Sequence, residues 1–432
     1  MLRPALTILS GNLGSSALLF ARNLTLAALI PVEDYGIAAT FALAVAAVEM
    51  ASAFGLQQQI VQAADGDDPR LMRALQGFQL FRGILAAGVM LALAIPLADF
   101  LNVPQVAWAY AVLALVPLLN GVRHLDIHRQ NRSGRFGALA AEQTLPALVA
   151  FLAIFPLAAW LGDWRVMLVS ILIHNMGAAL VSQFAAERPF RPAFDRARWG
   201  RTLRFGWPIL LNAGLLFAVF QGDKLIVGRL EGMVALSTFA LAVTITLTPA
   251  LIVLRSLQTG FLPRLSRRAE AGEIDRPAAR LIQLALALGL AGMGVGILAG
   301  PIAARWLAGS DYIAVAGLLG PMAILQGLRV AKVGTNIAAL ATGQTGNAAW
   351  SNIPRLAALA VGWWMLEGGA SVVVLVWLAA IAELAGIAIS ASMFRAARPD
   401  PIALPWASYA GFLALAAAAT GAILATAPPL GA

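Results

Sequence analysis

The chain of 432 residues has no cysteine and only three histidines, so it offers neither a disulfide framework nor a thiolate metal site. Charge is scarce as well: Asp, Glu, Lys and Arg make up 12% of the residues against 60% hydrophobic, with a mean hydropathy of +0.81. That balance excludes a soluble core of this length and describes a polytopic membrane protein. Its apolar runs are too long for the strands of an outer-membrane barrel, which are about 10 residues of alternating polarity, and this leaves a helical bundle. The opening segment has only Arg3 as a basic flank, and its apolar stretch is too long for a cleaved signal, so it reads as a first helix.

What is present is a series of apolar runs. A window of about 20 residues picks out thirteen segments, near 8–30, 37–62, 77–100, 105–121, 139–161, 165–186, 205–229, 235–261, 280–303, 312–340, 350–367, 370–394 and 404–427. The net charge of +9 follows the membrane and not a nucleic acid. Arg70 and Arg73, the group from Arg123 to Arg135, the run from Arg188 to Arg204, the group from Arg264 to Arg280, Arg355, and Arg395 with Arg398 fall in every second connection. Connections near Glu33, Asn102, Asp163, Glu231, Asp311 and Glu367 are short and poor in Arg and Lys. By the positive-inside rule the N-terminus is cytoplasmic.

An internal repeat organises the chain. Phe41-Ala42-Leu43-Ala44-Val45 in the second segment recurs as Phe239-Ala240-Leu241-Ala242-Val243 in the eighth. An even number of spans separates the copies, so both halves enter the membrane with the same orientation. The expected fold is all-α, with about 12–14 transmembrane helices in two six-helix pseudo-repeated lobes around a central cavity. The lobes are expected at 1–190 and 204–395, joined by a cytoplasmic connection at 191–203 and followed by an extra C-terminal helix within 396–432.

Six cations lie inside the apolar runs: Arg22, Arg82, Lys224, Arg255, Arg329 and Lys332. A charge at the centre of a span costs roughly 2.5–3.5 kcal/mol, so such residues line a wet cavity and need an anion. Snorkelling to headgroups is the rival reading for Arg82 and Arg255. Polar residues share their faces: Asn12, Ser15 and Asn23 with Arg22, Glu49 and Gln59 in the second segment, Thr248 with Arg255, and Gln326 and Asn336 with Arg329 and Lys332. Arg outnumbers Lys, which suits phosphate, because the planar guanidinium fork grips two oxygens. Asp223 beside Lys224 reads as a local charge neutraliser.

Other groupings carry no chemistry. His124, Asp126 and His128 sit in a basic connection that reads as an amphipathic surface piece against anionic headgroups, not as a metal site. Gly343 to Asn347 reads as a turn, Asp65, Asp67 and Asp68 as a solvated loop, and His174 as an interhelical hydrogen-bond partner. No motif calls for a metal or a cofactor.

Arg22-Asn23 followed by Pro31-Val32-Glu33-Asp34-Tyr35-Gly36, Phe54-Gly55-Leu56 and Ile60-Val61-Gln62 resembles the opening of Wzx-type polysaccharide flippases of the multidrug/oligosaccharidyl-lipid/polysaccharide exporter superfamily. Leu203 to Pro208, Gly222 to Gly228, Phe261 to Ser266 and Ala339 to Gly346 resemble that family's second half. Two features depart from it: Val234 to Phe239 lacks the usual Gly-x-Tyr, and a thirteenth segment exceeds the twelve-helix plan.

The resemblance implies a transporter, not an enzyme, that flips a polyprenyl-diphosphate-linked oligosaccharide across the bacterial inner membrane for exopolysaccharide, capsule or O-antigen (lipopolysaccharide) assembly. Its partners are the lipid-linked substrate and membrane lipids, with a functional link to a glycan polymerase and glycosyltransferases. Two alternatives stand beside it. A cation-coupled multidrug exporter of the same superfamily would be expected to carry an acid in its first span, where this chain has Arg22. A membrane glycan polymerase or transferase would need a sizeable outer loop, and the outer connections here are short.

Overall fold

The structure is a computed structural model that describes residues 2–306, 311–397 and 404–426; the side chains of 2–13, and with them that of Asn12, lie outside the described residues. Helices account for all the regular structure among these residues. In chain order they are α1 (Leu2–Leu29), α2 (Val32–Met50), α3 (Leu56–Gln62), α4 (Pro69–Phe100), α5 (Ala107–Val112), α6 (Leu115–Val122), α7 (Asp126–Arg132), α8 (Gly137–Leu161) and α9 (Arg165–Phe184). There follow α10 (Arg196–Leu230), α11 (Gly232–Glu270), α12 (Asp275–Trp306), α13 (Ile313–Ala341), α14 (Asn347–Trp350), α15 (Ile353–Glu367), α16 (Val372–Ala396) and α17 (Trp406–Thr426).

Each of the thirteen apolar segments has its helix, and among the described residues ten are long and apolar enough to cross a membrane. Three differ from the sequence reading. The second segment does not run to residue 62: α2 stops at Met50, and Gly55, in the left-handed conformation at φ +64, starts the separate α3. The fourth is divided into α5 and α6. The eleventh, α15, has 15 residues, about 22 Å of helix and short of a hydrocarbon core of about 30 Å. Capping follows local chemistry. Asp68 accepts from the Arg70 amide ahead of Pro69, Ser371 caps α16, and Gly162, at φ +67, ends α8.

The chain divides into two compact units. The first comprises Met1–Gln221 with Gly232–Ser237. In it α8 packs on both α1 and α9, and α4 packs on α6, where Gly83 and Gly121 let the backbones approach: a Cβ on Gly83 would lie 2.7 Å from the Pro117 carbonyl.

One end of this unit is a knot of short elements. Leu56, Ile60, Leu71, Leu75, Phe78 and Leu125 form its core, with Trp199 packed against them. The segment after α9 is bound to the knot: Ala193 donates to the Arg73 carbonyl (2.9 Å), Arg191 to Gln76 Oε1 (3.0 Å), and the Trp199 indole to the Ala74 carbonyl (2.9 Å).

The basic stretch around α7 is not the surface piece expected from its composition. His124, Asp126, His128, Arg129 and Gln130 are buried, because Asp126 gathers donors from Arg129, Gln130 and the Glu187 amide (2.9 Å). Burial alone would raise the Asp126 carboxyl, but these donors hold it down at about 2. Glu187 in turn accepts from Arg129 and Arg135. Arg132 donates to the Ile60 and Ala63 carbonyls, placing a cation at the negative end of α3.

The second unit comprises Gly222–Glu231 and Thr238–Ala432. Its centre is α13, flanked by α12, α16 and α17. A seam of small residues lets α12 and α13 meet closely: a Cβ on Gly327 would fall 2.6 Å from the Gly289 carbonyl. Enclosed this way, α13 buries its polar residues together with its apolar ones, including Gln326, Arg329, Lys332 and Thr335.

Candidate functional site

Spacing puts Gln326, Arg329 and Lys332 on one stripe of α13, and packing aims that stripe at α16. Arg329 Nε donates to Glu383 Oε1 at 3.0 Å and its Nη1 to Gln326 Oε1 at 3.2 Å. Lys332 Nζ lies 2.5 Å from Glu383 Oε2 and donates to Asn352 Oδ1 at 2.8 Å. Glu383 is 1% exposed. The sequence reading left these two cations in need of an outside anion, whereas α16 supplies a carboxylate to both. Gly386, one turn beyond, keeps the approach open: a Cβ there would meet the Ser351 carbonyl at 2.4 Å and Lys332 Nζ at 3.3 Å.

A second ion pair lies within electrostatic range of the first. Arg355, counted from sequence among the connection arginines, is 0% exposed near the start of α15 and donates through Nη2 to Asp223 Oδ2 of α10. Asp223 therefore serves Arg355 as well as its neighbour Lys224, with which it interacts electrostatically. Among the described residues, Arg355 Nε and Nη1 and Asp223 Oδ1 are buried without a hydrogen-bond partner. In this unit Lys224, Arg329, Lys332 and Arg355 face Asp223 and Glu383, an excess of two positive charges.

The first unit holds a looser polar cluster. Arg22, 7% exposed, donates to its neighbour Asn23 Oδ1 (3.3 Å), and its Nε is buried without a partner among the described residues. No carboxylate among the described residues forms an ion pair with it. Arg123 reaches Glu142 at 3.5 Å, and both Arg22 and Arg123 act electrostatically on His174, whose Nδ1 is also buried and unpartnered. Glu49 accepts from Asn120 Nδ2 at 2.5 Å. Arg82 Nη1 donates to the Ser52 carbonyl just past α2, at 2.7 Å.

The remaining candidates scatter. Arg255 is exposed on α11, and Thr248 on the same helix is half-buried. Gln59 is buried on the short α3 and not on a long span, with Oε1 unpartnered among the described residues. Asn336 accepts from Ser390 at 2.8 Å, and Ser15 is half-buried. The residues missed from sequence are Arg355, Arg123, Asn120 and the pairing roles of Asp223 and Glu383. Only Asp223 and Glu383 had a signal there, as acids inside apolar runs.

A family model described as "Polysaccharide biosynthesis protein" matches residues 25–317. No curated protein matches the chain by sequence. Among solved structures, the lipid II flippase MurJ in an inward closed conformation is similar at a TM-score of 0.74 and 14% identity, over 97% of this chain and 92% of that one. A multidrug resistance MATE family transporter of the MOP superfamily, facing inward, is similar at 0.70 and 13% identity, over 96% of each chain. A MOP superfamily transporter from Pyrococcus furiosus, whose binding pocket is described as of reverse polarity, gives 0.59 at 13% identity, over 91% of this chain and 94% of that one. The fold is that of these multi-pass membrane transporters.

Proposed function

Because the chain belongs to the polysaccharide biosynthesis protein family, we propose that it flips a polyprenyl-diphosphate-linked oligosaccharide from the cytoplasmic to the outer leaflet of a bacterial inner membrane. The glycan feeds exopolysaccharide, capsule or O-antigen assembly, upstream of a polymerase and downstream of glycosyltransferases. The N-terminus lies in the cytoplasm, as the basic connections require.

One observation carries this reading: Arg22 is a buried guanidinium in a span, and no carboxylate among the described residues is paired to it. Leaving such a charge uncompensated in a bilayer is costly, which favours an anionic partner that comes and goes. A diphosphate fits the fork of donors. The sugar hydroxyls meet neighbouring amides and hydroxyls, the lipid tail stays in the bilayer, and rocking of one half against the other exposes the site to each leaflet in turn.

The test is Arg22→Gln, expected to remove surface polysaccharide at matched protein level while lipid-linked oligosaccharide builds up on the cytoplasmic side. Arg22→Lys is expected to retain only part of the export, since an ammonium supplies charge without the fork. Full export by Arg22→Gln would remove Arg22 from the substrate path. Accumulation of cationic dyes in a deletion strain, with normal surface glycan, would favour the multidrug exporter instead.

A further inference from the structure

We propose, resting on the diphosphate reading above, that the second unit contains its own phosphate-class anion site, formed by Arg329, Lys332 and Arg355. In it the carboxylates of Glu383 and Asp223 stand in for the two phosphoryl groups and give way to them on loading. Nothing in the chain's sequence marked Arg355 for this role. Its position does: it is 0% exposed, yet Nε and Nη1 have no acceptor among the described residues. A guanidinium has five N–H donors, and one carboxylate oxygen from Asp223 satisfies only part of that capacity. Buried donors left over in a native structure call for a water or a ligand.

Charge makes the exchange feasible. A diphosphate esterified at both ends carries one negative charge on each phosphoryl group. That matches the excess of two positive charges in this unit, so loading brings the cluster to neutrality while the displaced carboxylates stay in the protein. Geometry agrees. Glu383 bridges two cations, with one oxygen 3.0 Å from Arg329 Nε and the other 2.5 Å from Lys332 Nζ, the kind of contact a phosphoryl group makes with two donors. A purely structural role explains less, because a buried ion pair is no more stabilising than well-packed apolar residues, and this unit commits at least five charged side chains to its membrane-spanning interior. The carboxylates keep the cations soluble in the protein while no substrate is bound, and they set a threshold: only an anion that offers more acceptors than a carboxylate displaces them.

The deciding variant is Glu383→Asp. It keeps the charge but is one methylene shorter and cannot reach Arg329 and Lys332 together, so the stand-in weakens while the electrostatics stay constant. Inorganic pyrophosphate is titrated calorimetrically into the full-length protein in detergent, in an Arg22→Gln background that silences the first unit. Adding Glu383→Asp is expected to tighten binding about tenfold, the worth of one charge-assisted hydrogen bond. Adding Arg355→Lys is expected to weaken it. Unchanged or weaker binding with Glu383→Asp, or no binding in the Arg22→Gln background with or without it, would overturn the site. The diphosphate reading would survive that result if protein with Arg22 intact binds pyrophosphate. Failure of every protein to bind, that one included, would overturn both.

Discussion

Severing Arg355 from Asp223 leaves a bare charge deep in the second unit, whichever partner is removed. Losing one member of a buried pair costs about 3–5 kcal/mol, whereas replacing both with apolar groups is often neutral. Arg355→Leu or Asp223→Leu alone is therefore expected to lower the melting temperature in detergent sharply, and the double Leu variant to recover much of the loss. The pair was not legible in the sequence. Its members stand 132 residues apart, and an arginine near the start of a 15-residue helix looks like a loop arginine to any hydropathy count. Asp223 was legible as a counter-charge to its neighbour Lys224, with which it does interact, but its pairing with Arg355 has no local signature. Arg329 and Lys332 were legible, since i, i+3 spacing within a long apolar run places both on one face. That Glu383 would meet them depended on the packing of α13 on α16, which no local pattern encodes.

At the scale of elements, α7 makes the knot at one end of the first unit sensitive to pH. Burial, with a smaller push from Arg123, takes the His128 ring from its ordinary 6.5 down to about 4. The folded knot therefore holds His128 neutral where a released segment would take up a proton. Stability is full above about pH 6.5 and declines as pH falls toward 4. Asp126 contributes nothing in that window, because its carboxyl titrates at about 2 in the fold and near 3.8 when free, and its stabilisation fades only below that range. Melting temperatures measured from pH 7 to pH 4 are thus expected to fall in the wild type and to fall less in His128→Gln. From composition α7 reads as a surface piece, because four of its seven residues are charged or can be. What buries it is the Glu187 amide, 61 residues from Asp126, a tertiary partner that composition cannot show.

For the whole molecule, thirteen apolar segments became thirteen helices or helix pairs, because about 20 apolar residues admit no other structure in a bilayer. The interruptions after Met50 and between α5 and α6 escaped notice, since hydropathy averages over a break of a few residues. Orientation makes a separate prediction: tags inserted after Gly134 and Gly272 should report cytoplasm and one after Gly162 the outside, by protease or alkylation access, and a cytoplasmic signal at Gly162 would invert the assignment. The long-range pairing of charges in the second unit also bears on how the protein is made. Asp223 leaves the ribosome 132 residues before Arg355, and Arg329 leaves 54 residues before Glu383. At about 5–20 residues per second, the earlier member of each pair waits several seconds for its partner. Completion of α16 is therefore an assembly checkpoint: a message cut short before Glu383 yields a chain with cations stranded in lipid, a substrate for quality-control proteolysis and not a smaller transporter.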